Sequence, residues 1–299
     1  MGDTVAIRAQ QLTKRYGTAR GIESVDLSVA TGEVFGFLGP NGAGKTTFIR
    51  TILDLLHPTS GTATLLGLDS QRDSIEIRRR IGYLPGEVSL WPSETGRSVL
   101  EHLGRLRGGV PRAAMQDLAD RIELDLDRRI RDLSKGNRQK IGLVQAFMHE
   151  PELLILDEPT SGLDPLQQHL FRTLILDHAS RGVTVFLSSH VLSEVEHTAT
   201  RVAILREGRV VTIDDVAALK ARAVRRFEVT FEHPVSADAF RTLDGVDVLT
   251  AHGSVVELTI KGSVDPLIKK LAGYDVMNVV SHEPDLEEIV LSYYSSSDA

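Results

Sequence analysis

Cysteine is absent from this 299-residue chain, which excludes disulfide stapling and thiolate metal sites. No uninterrupted apolar run approaches the roughly 20 residues that a membrane-spanning helix needs. The opening "MGDTVAIRAQQ" lacks the charged-then-apolar order of a secretion signal. An excess of positive charge is missing too: the formal net charge of −7 argues against coating nucleic acid through bulk electrostatics. No internal repeat is present, and no heptad series is long enough for a coiled coil. The chain is expected to be cytoplasmic, and any membrane role has to come through a partner.

With 41% hydrophobic residues over this length, the chain can bury a sizeable core and is expected to form two domains. Charge is distributed unevenly. Residues 1–220 hold 27 Lys+Arg against 28 Asp+Glu, whereas 221–299 hold 7 against 13. That shift places a boundary near Lys220, ahead of an acidic C-terminal domain at 221–299 with a serine-rich, frayed end. In residues 1–220, continuous apolar runs alternate with helix-like stretches. "GEVFGFLG" leads into a helix at Lys45–Leu56, "ELLILD" follows a helix at Arg138–His149, and "VTVFLSSH" leads into "VLSEVEHTA". "RVAILREGRVV" closes as a hairpin around Glu207-Gly208. Runs without alternation suit strands covered on both faces, so the expected fold is α/β with a mostly parallel sheet. A helical insert occupies about 95–130. The tail changes period: Phe227, Val229 and Phe231 alternate with polar residues, as do Val256, Leu258 and Ile260. Its order, β-α-β-β-α-β plus a last helix at "DLEEIVLSYY", predicts a small ferredoxin-like α+β domain.

The chemistry starts at "GPNGAGKT". Gly39, Pro40, Asn41, Gly42, Ala43, Gly44, Lys45 and Thr46, with Thr47 following, fit the phosphate-loop pattern between an apolar run and a helix. Glycines let backbone N–H groups curl around phosphate oxygens, and the helix start adds its positive dipole end. Lys45 is expected to neutralise the β- and γ-phosphates of a nucleotide, and the Thr46 hydroxyl to ligate Mg²⁺. In "LLILDEP", Asp157 and Glu158 stand where a buried strand ends, on the side where α/β sheets bind ligands. Two adjacent carboxylates repel unless they face different partners. Asp157 suits the Mg²⁺ shell, and Glu158 suits polarising the water that attacks the γ-phosphate.

Together these motifs resemble the ATP-binding subunit of an ABC transporter, over roughly residues 4–215. The resemblance implies a P-loop nucleotide-binding cassette, a mixed or parallel sheet with the helical insert, and ATPase activity. It implies that Tyr16 in "LTKRYG" stacks on adenine, that "SGLDP" is the D-loop with Asp164 its acid, and that His190 in "LSSH" contacts the γ-phosphate. "LSKGNRQK" is similar to the family signature. There Ser134 and the Gly136 N–H serve the nucleotide of a second cassette, so two chains close on ATP and part after hydrolysis, as a homodimer or a paired cassette. Lys135 stands where the signature usually has glycine, and Asn137 where it has glutamine. "IGYLPGE" has Gly86 where the family places a glutamine, and the following Glu87 either ligates Mg²⁺ in its stead or is a solvated loop acid.

The single cassette, the "SKG" signature and the acidic tail are similar to bacterial drug exporters of the daunorubicin-resistance type. That likeness implies a separate transmembrane permease, docked near the insert by residues such as Trp91 and Leu100, and a position on the inner face of the membrane. A soluble ABC ATPase of ribosomes or DNA is the alternative, and a dimerising regulatory module with little turnover is another.

Overall fold

A computed structural model describes residues 5–17, 19–222, 224–282 and 289. The chain divides into two compact units, Met1–Ile213 and Asp214–Ala299. In the first, strands β1 (Val5–Tyr16), β2 (Ala19–Ala30), β4 (Ser60–Leu65) and β5 (Leu68–Asp69) form an antiparallel sheet in the order β2-β1-β4-β5. The second sheet holds β3 (Val34–Leu38), β6 (Ile81–Leu84), β7 (Leu153–Asp157), β8 (Thr184–Ser189), β9 (Arg201–Arg206) and β10 (Arg209–Asp215) in the order β10-β9-β3-β8-β7-β6. Its pairs β9/β3, β3/β8, β8/β7 and β7/β6 are parallel. Every residue of β3, β7 and β8 is buried, which is why these strands read as unbroken apolar runs. Glu207 and Gly208, both at positive φ, turn β9 back as β10, the geometry of a tight hairpin.

Helices α1 (Lys45–Ile52), α2 (Ser74–Arg80), α3 (Gly96–Leu106), α4 (Arg112–Arg121), α5 (Lys135–Phe147), α6 (Pro165–Ser180) and α7 (Leu192–Glu196) complete this unit. Phe48 of α1 is fully buried, its ring centroid 4.8 Å from that of Phe37 on β3 and 5.8 Å from that of Phe186 on β8. Burying such a ring stabilises by about 1.5–3 kcal/mol, and it clamps the first turn of α1 against the end of β3. Helices α3 and α4 occupy the expected insert.

The second unit contains α8 (Val216–Arg222), β11 (Arg225–Phe231), α9 (Asp238–Arg241), β12 (Val246–His252), β13 (Val255–Ile260), α10 (Asp265–Leu271) and β14 (Val276–His282). Its sheet order is β12-β13-β11-β14, all antiparallel. The first strand pairs with the third and the fourth, which is the ferredoxin-like plan. Phe227, Val229, Phe231, Val256, Leu258 and Ile260 fill its core, so the alternation had marked the inward face.

Two local expectations change, and a third falls largely on residues that the structure does not describe. The helix at Lys45 stops at Ile52 instead of Leu56, because Asp54 takes a left-handed φ of 54°. The helix expected from Arg138 starts at Lys135, where Ser134 caps it by accepting the Asn137 N–H at 3.2 Å, and it ends at Phe147. The last helix at "DLEEIVLSYY" lies, except for Ile289, outside the described residues.

Candidate functional site

The order β3-β8-β7 sets three strand ends side by side, and each is followed by a polar loop. After β3 comes the glycine-rich loop. Gly42 and Gly44 have φ of 81° and 109°, a region that only glycine enters without strain. A Cβ on Gly44 would lie 2.7 Å from the Gly21 carbonyl oxygen, so space forbids a side chain there as well. The Ala43 N–H donates to the Pro40 carbonyl at 3.1 Å and the Gly208 N–H to the Ala43 carbonyl at 2.9 Å, which ties the curl to the hairpin between β9 and β10. Beside it is a cavity of about 210 Å³ lined by Gly42, Gly44, Lys45, Thr46, Thr47 and Glu158, with Gly21 and Asn41 at its sides.

Lys45 is only 5% exposed. Its Nζ donates to the Gly39 carbonyl at 2.6 Å and to the Pro40 carbonyl at 3.2 Å, and it pairs with Glu158 Oε1 at 3.1 Å. A buried ammonium needs such partners. The other Glu158 oxygen, Oε2, lies 2.5 Å from His190 Nδ1 and 3.4 Å from the His190 backbone N–H. Lys45, Glu158 and His190, far apart in sequence, therefore meet at one carboxylate. Glu158 itself has a φ of 49°, an unfavourable left-handed conformation for a residue with a Cβ.

Asp157 is 1% exposed. Its Oδ1 accepts the Ser188 hydroxyl at 2.6 Å, while its Oδ2 is buried with no hydrogen-bond partner among the described residues. An orphaned anionic oxygen at a strand end suits a hard divalent cation, and the Thr46 hydroxyl on the cavity wall is a second oxygen donor. Gly86 abuts this acid: a Cβ there would lie 3.4 Å from the Asp157 carbonyl oxygen and 3.6 Å from Oδ2. Backbone therefore stands nearest to Asp157 on this side, and Glu87 is exposed. Tyr16 is 46% exposed with Lys14 Nζ 5.5 Å from its ring centroid. Its ring edge and the Thr47 methyl both border Gly21, each 3.1 Å from a Cβ built there, which sets a flat aromatic surface beside the phosphate cradle.

The turn at 134–136 takes no part in that cavity. Ser134 is exposed. Gly136 is held close to the D-loop, where a Cβ would lie 2.8 Å from the Gly162 carbonyl oxygen. The Lys135 side chain covers Gly162 and reaches Ser161 Oγ at 3.4 Å, which gives the lysine a packing role. Asp164 caps α6 by accepting the Gln167 N–H at 2.9 Å. Of the two residues expected at a membrane partner, Leu100 is fully buried and Trp91 is 51% exposed. Glu194, which no motif marks, bonds to Thr160 on the loop after β7 and to Ser189 at the end of β8; its only sequence signal is its place four residues after His190.

The family model described as ABC transporter matches residues 22–161. The bacitracin transport ATP-binding protein BcrA of Enterococcus faecalis is 37% identical over 72% of this chain and 71% of its own length. The daunorubicin resistance ATP-binding protein DrrA3 of Streptomyces coeruleorubidus is 35% identical over 97% of this chain and 96% of its own. Among solved structures, an ATP-binding subunit of an ABC transporter superposes with a TM-score of 0.66 at 29% identity, covering 72% of this chain and 92% of that one. A dimeric bacterial ABC transporter cassette shares the fold at a TM-score of 0.64 and 23% identity, over 70% of this chain and 98% of that one.

Proposed function

The chain belongs to the ABC transporter ATP-binding family, and from that premise we propose that it is the ATPase subunit of a drug or antibiotic exporter, driven by closure of two cassettes on ATP. The observation that carries this is the meeting of Lys45, Glu158 and His190 at one carboxylate. Lys45 pairs with Glu158 Oε1. An arriving γ-phosphate offers Lys45 a stronger anionic partner, which frees Glu158 Oε1 to take a proton from the attacking water. His190, held on Oε2, keeps the carboxylate aimed and lies where it can touch the γ-phosphate. Tyr16 stacks on adenine, and the 39–47 loop wraps the phosphates. Thr46 and the free oxygen of Asp157 would hold Mg²⁺, with Glu87 entering the shell only if its exposed side chain turns inward. When bound, the ion neutralises charge on the β- and γ-phosphates.

Ser134 and Gly136 stand apart from this cavity, so their N–H and hydroxyl donors are assigned to the nucleotide of a second cassette, in a homodimer or a paired cassette. Differential affinity for ATP over ADP then drives opening and closing. No helix among the described residues is long and apolar enough to cross a membrane, and the route across is assigned to a separate permease. A groove of about 300 Å³ bordered by Leu53, Leu55, Tyr83, Pro85 and Arg107, with Trp91 exposed, suits a cytoplasmic helix of that partner. On this reading the subunit works at the inner face of the membrane, held there by the permease. A drug or antibiotic as the cargo follows the two relatives' names, which speak of bacitracin transport and daunorubicin resistance, and the outward direction is part of the proposal. Residues 214–299 serve as an accessory domain.

Glu158→Gln tests the assignment. ATP binding is expected to persist, turnover to fall at least about 100-fold, and Mg·ATP to shift the chain to a dimer in gel filtration. Parental turnover, or a chain that stays monomeric with ATP, overturns it.

A further inference from the structure

Of the ties that join the ends of β7 and β8 and the loops that follow them, three run between side chains. Ser188 Oγ donates to Asp157 Oδ1 at 2.6 Å, and His190 Nδ1 meets Glu158 Oε2 at 2.5 Å. The third runs through Glu194 on α7. Its Oε2 accepts the Thr160 hydroxyl at 2.5 Å and lies 3.2 Å from Ser189 Oγ. Ser189 Oγ also accepts the Val191 N–H at 2.9 Å and lies 3.2 Å from the Val191 carbonyl, so its one proton is shared between two acceptors. Thr160 is two residues past Glu158, and Ser189 directly precedes His190. One carboxylate oxygen therefore holds both loops at the point where each departs from its catalytic-side residue.

The helix that carries Glu194 is itself seated firmly. Val195 is fully buried, and its Cγ1 occupies the space over Gly36 of β3, 2.3 Å from where a Cβ would stand. Glu194 is thus fixed to the sheet. The residue it steadies needs steadying, because Glu158 has a left-handed backbone, a strained conformation for a residue with a Cβ. Burial pushes the Glu194 carboxyl above its usual range, an effect the Thr160 and Ser189 hydroxyls oppose and the Glu158 charge reinforces. Its Oε1 is buried with no partner among the described residues, and a cavity of about 330 Å³ floored by Phe171, Ile175 and Leu187 lies behind it. An acidic group with an unsatisfied oxygen is a poor filler for such a place. A purely structural requirement would be met better by an apolar side chain.

We propose that Glu194 is a positioning residue for hydrolysis: by holding Thr160 and Ser189 on one oxygen, it sets the separation of Glu158 and His190. The proposal rests on the reading that those two residues serve turnover. Binding is not its task, because Glu194 does not line the phosphate cradle.

The test uses the full chain and measures kcat, KM for ATP and affinity for a fluorescent ATP analogue. Glu194→Ala is expected to lower kcat about tenfold with KM and affinity within about twofold, the pattern of a lost transition-state interaction. Glu194→Gln, which keeps an acceptor oxygen, should return kcat to within about twofold of the parent. Thr160→Val, which removes only the donor and leaves the carboxylate in place, should lower kcat as Glu194→Ala does. Combining it with Glu194→Ala should add nothing, since both break one latch. Parental kcat in Glu194→Ala or Thr160→Val overturns the proposal, as does a Glu194→Gln enzyme as poor as Glu194→Ala. Glu158→Gln runs alongside. If that variant still turns over, the underlying reading of Glu158 falls; if it is dead while Glu194→Ala is unaffected, only the latch falls.

Discussion

The two units bury different chemistry. Residues up to 213 enclose Lys45, Gln139, Lys140, Asp157 and His178 together with several hydroxyls. Among the described residues, the unit from 214 onward encloses only aliphatic and aromatic side chains. A buried polar group costs about 1–3 kcal/mol when left unsatisfied, so folding alone selects against it. The second unit shows what a fold of this size needs: an alternating pattern and an apolar face. The first carries more than folding needs, and part of the excess, Lys45, Asp157, Thr160, Ser188 and Ser189, stands at or just past the ends of β3, β7 and β8. The difference separates residues retained for stability from residues retained for chemistry.

The largest expected effect comes from breaking the second core. Phe240 is fully buried, its ring centroid 5.8 Å from that of Phe231 and 5.7 Å from that of Tyr274. Phe240→Ala should cost about 3–5 kcal/mol, confined to the second unit because the two cores are separate sets of residues. Trp91, the one tryptophan of the chain, reports the first unit alone. Its melting transition and the ATPase rate should hold while the circular-dichroism transition of the second unit moves down. If ATPase falls in step, the units are not energetically separate and the comparison fails.

The next effect belongs to the first unit. Lys45→Ala removes a charge from the phosphates, a loss of about 1.5–3 kcal/mol, and should lower ATP affinity roughly 10–100-fold by calorimetry. Mixing that variant with Ser134→Ala sharpens the point. In a linked heterodimer one intact composite site remains, pairing the unaltered cradle of one chain with the unaltered signature of the other. Turnover above that of either variant alone is expected; no gain would mean that Ser134 serves its own chain.

Legibility followed the same division. The phosphate loop and the acid pair were visible because their chemistry demands fixed residue types at short spacing, the histidine was visible only through the family resemblance, and the ferredoxin-like order was visible because its strands have one wet face. The antiparallel sheet of β1, β2, β4 and β5 was not read. Its long strands carry register shifts, which break the alternation that marks a strand. Glu194 was missed for a different reason. Its partners Thr160 and Ser189 lie 34 and 5 residues away, and only the parallel pairing of β7 with β8 brings them together. The helix cap that Ser134 supplies, beside the signature role proposed for it, needed the N–H of Asn137 to be seen.

The smallest effect tests whether buried polarity in the first unit has a cost away from the site. His149 donates its Nε2–H to the Ile81 carbonyl at 3.0 Å, and its Nδ1 is buried without a partner among the described residues. Burial, helped by the Arg107 charge, pushes it from 6.5 down to about 4. The unfolded chain therefore takes up a proton between those values while the folded chain does not. Its contribution is complete above about pH 6.5 and is lost as pH falls toward 4. The full shift corresponds to up to about 3 kcal/mol, and solvent screening of a half-buried ring reduces this to about 1–2 kcal/mol. Glu194 has the opposite sign, because its raised pKa makes the folded state the better proton acceptor as pH falls. The parent alone is therefore ambiguous, and the difference between parent and His149→Leu is decisive. Between pH 6.5 and 4.5 the Trp91 melting temperature should fall more steeply in the parent than in the variant, even though the variant starts lower for want of its bond to Ile81. Parallel slopes would show that this histidine is protonated at no cost, and would weaken the claim that polarity buried away from the strand ends is a liability for the first unit.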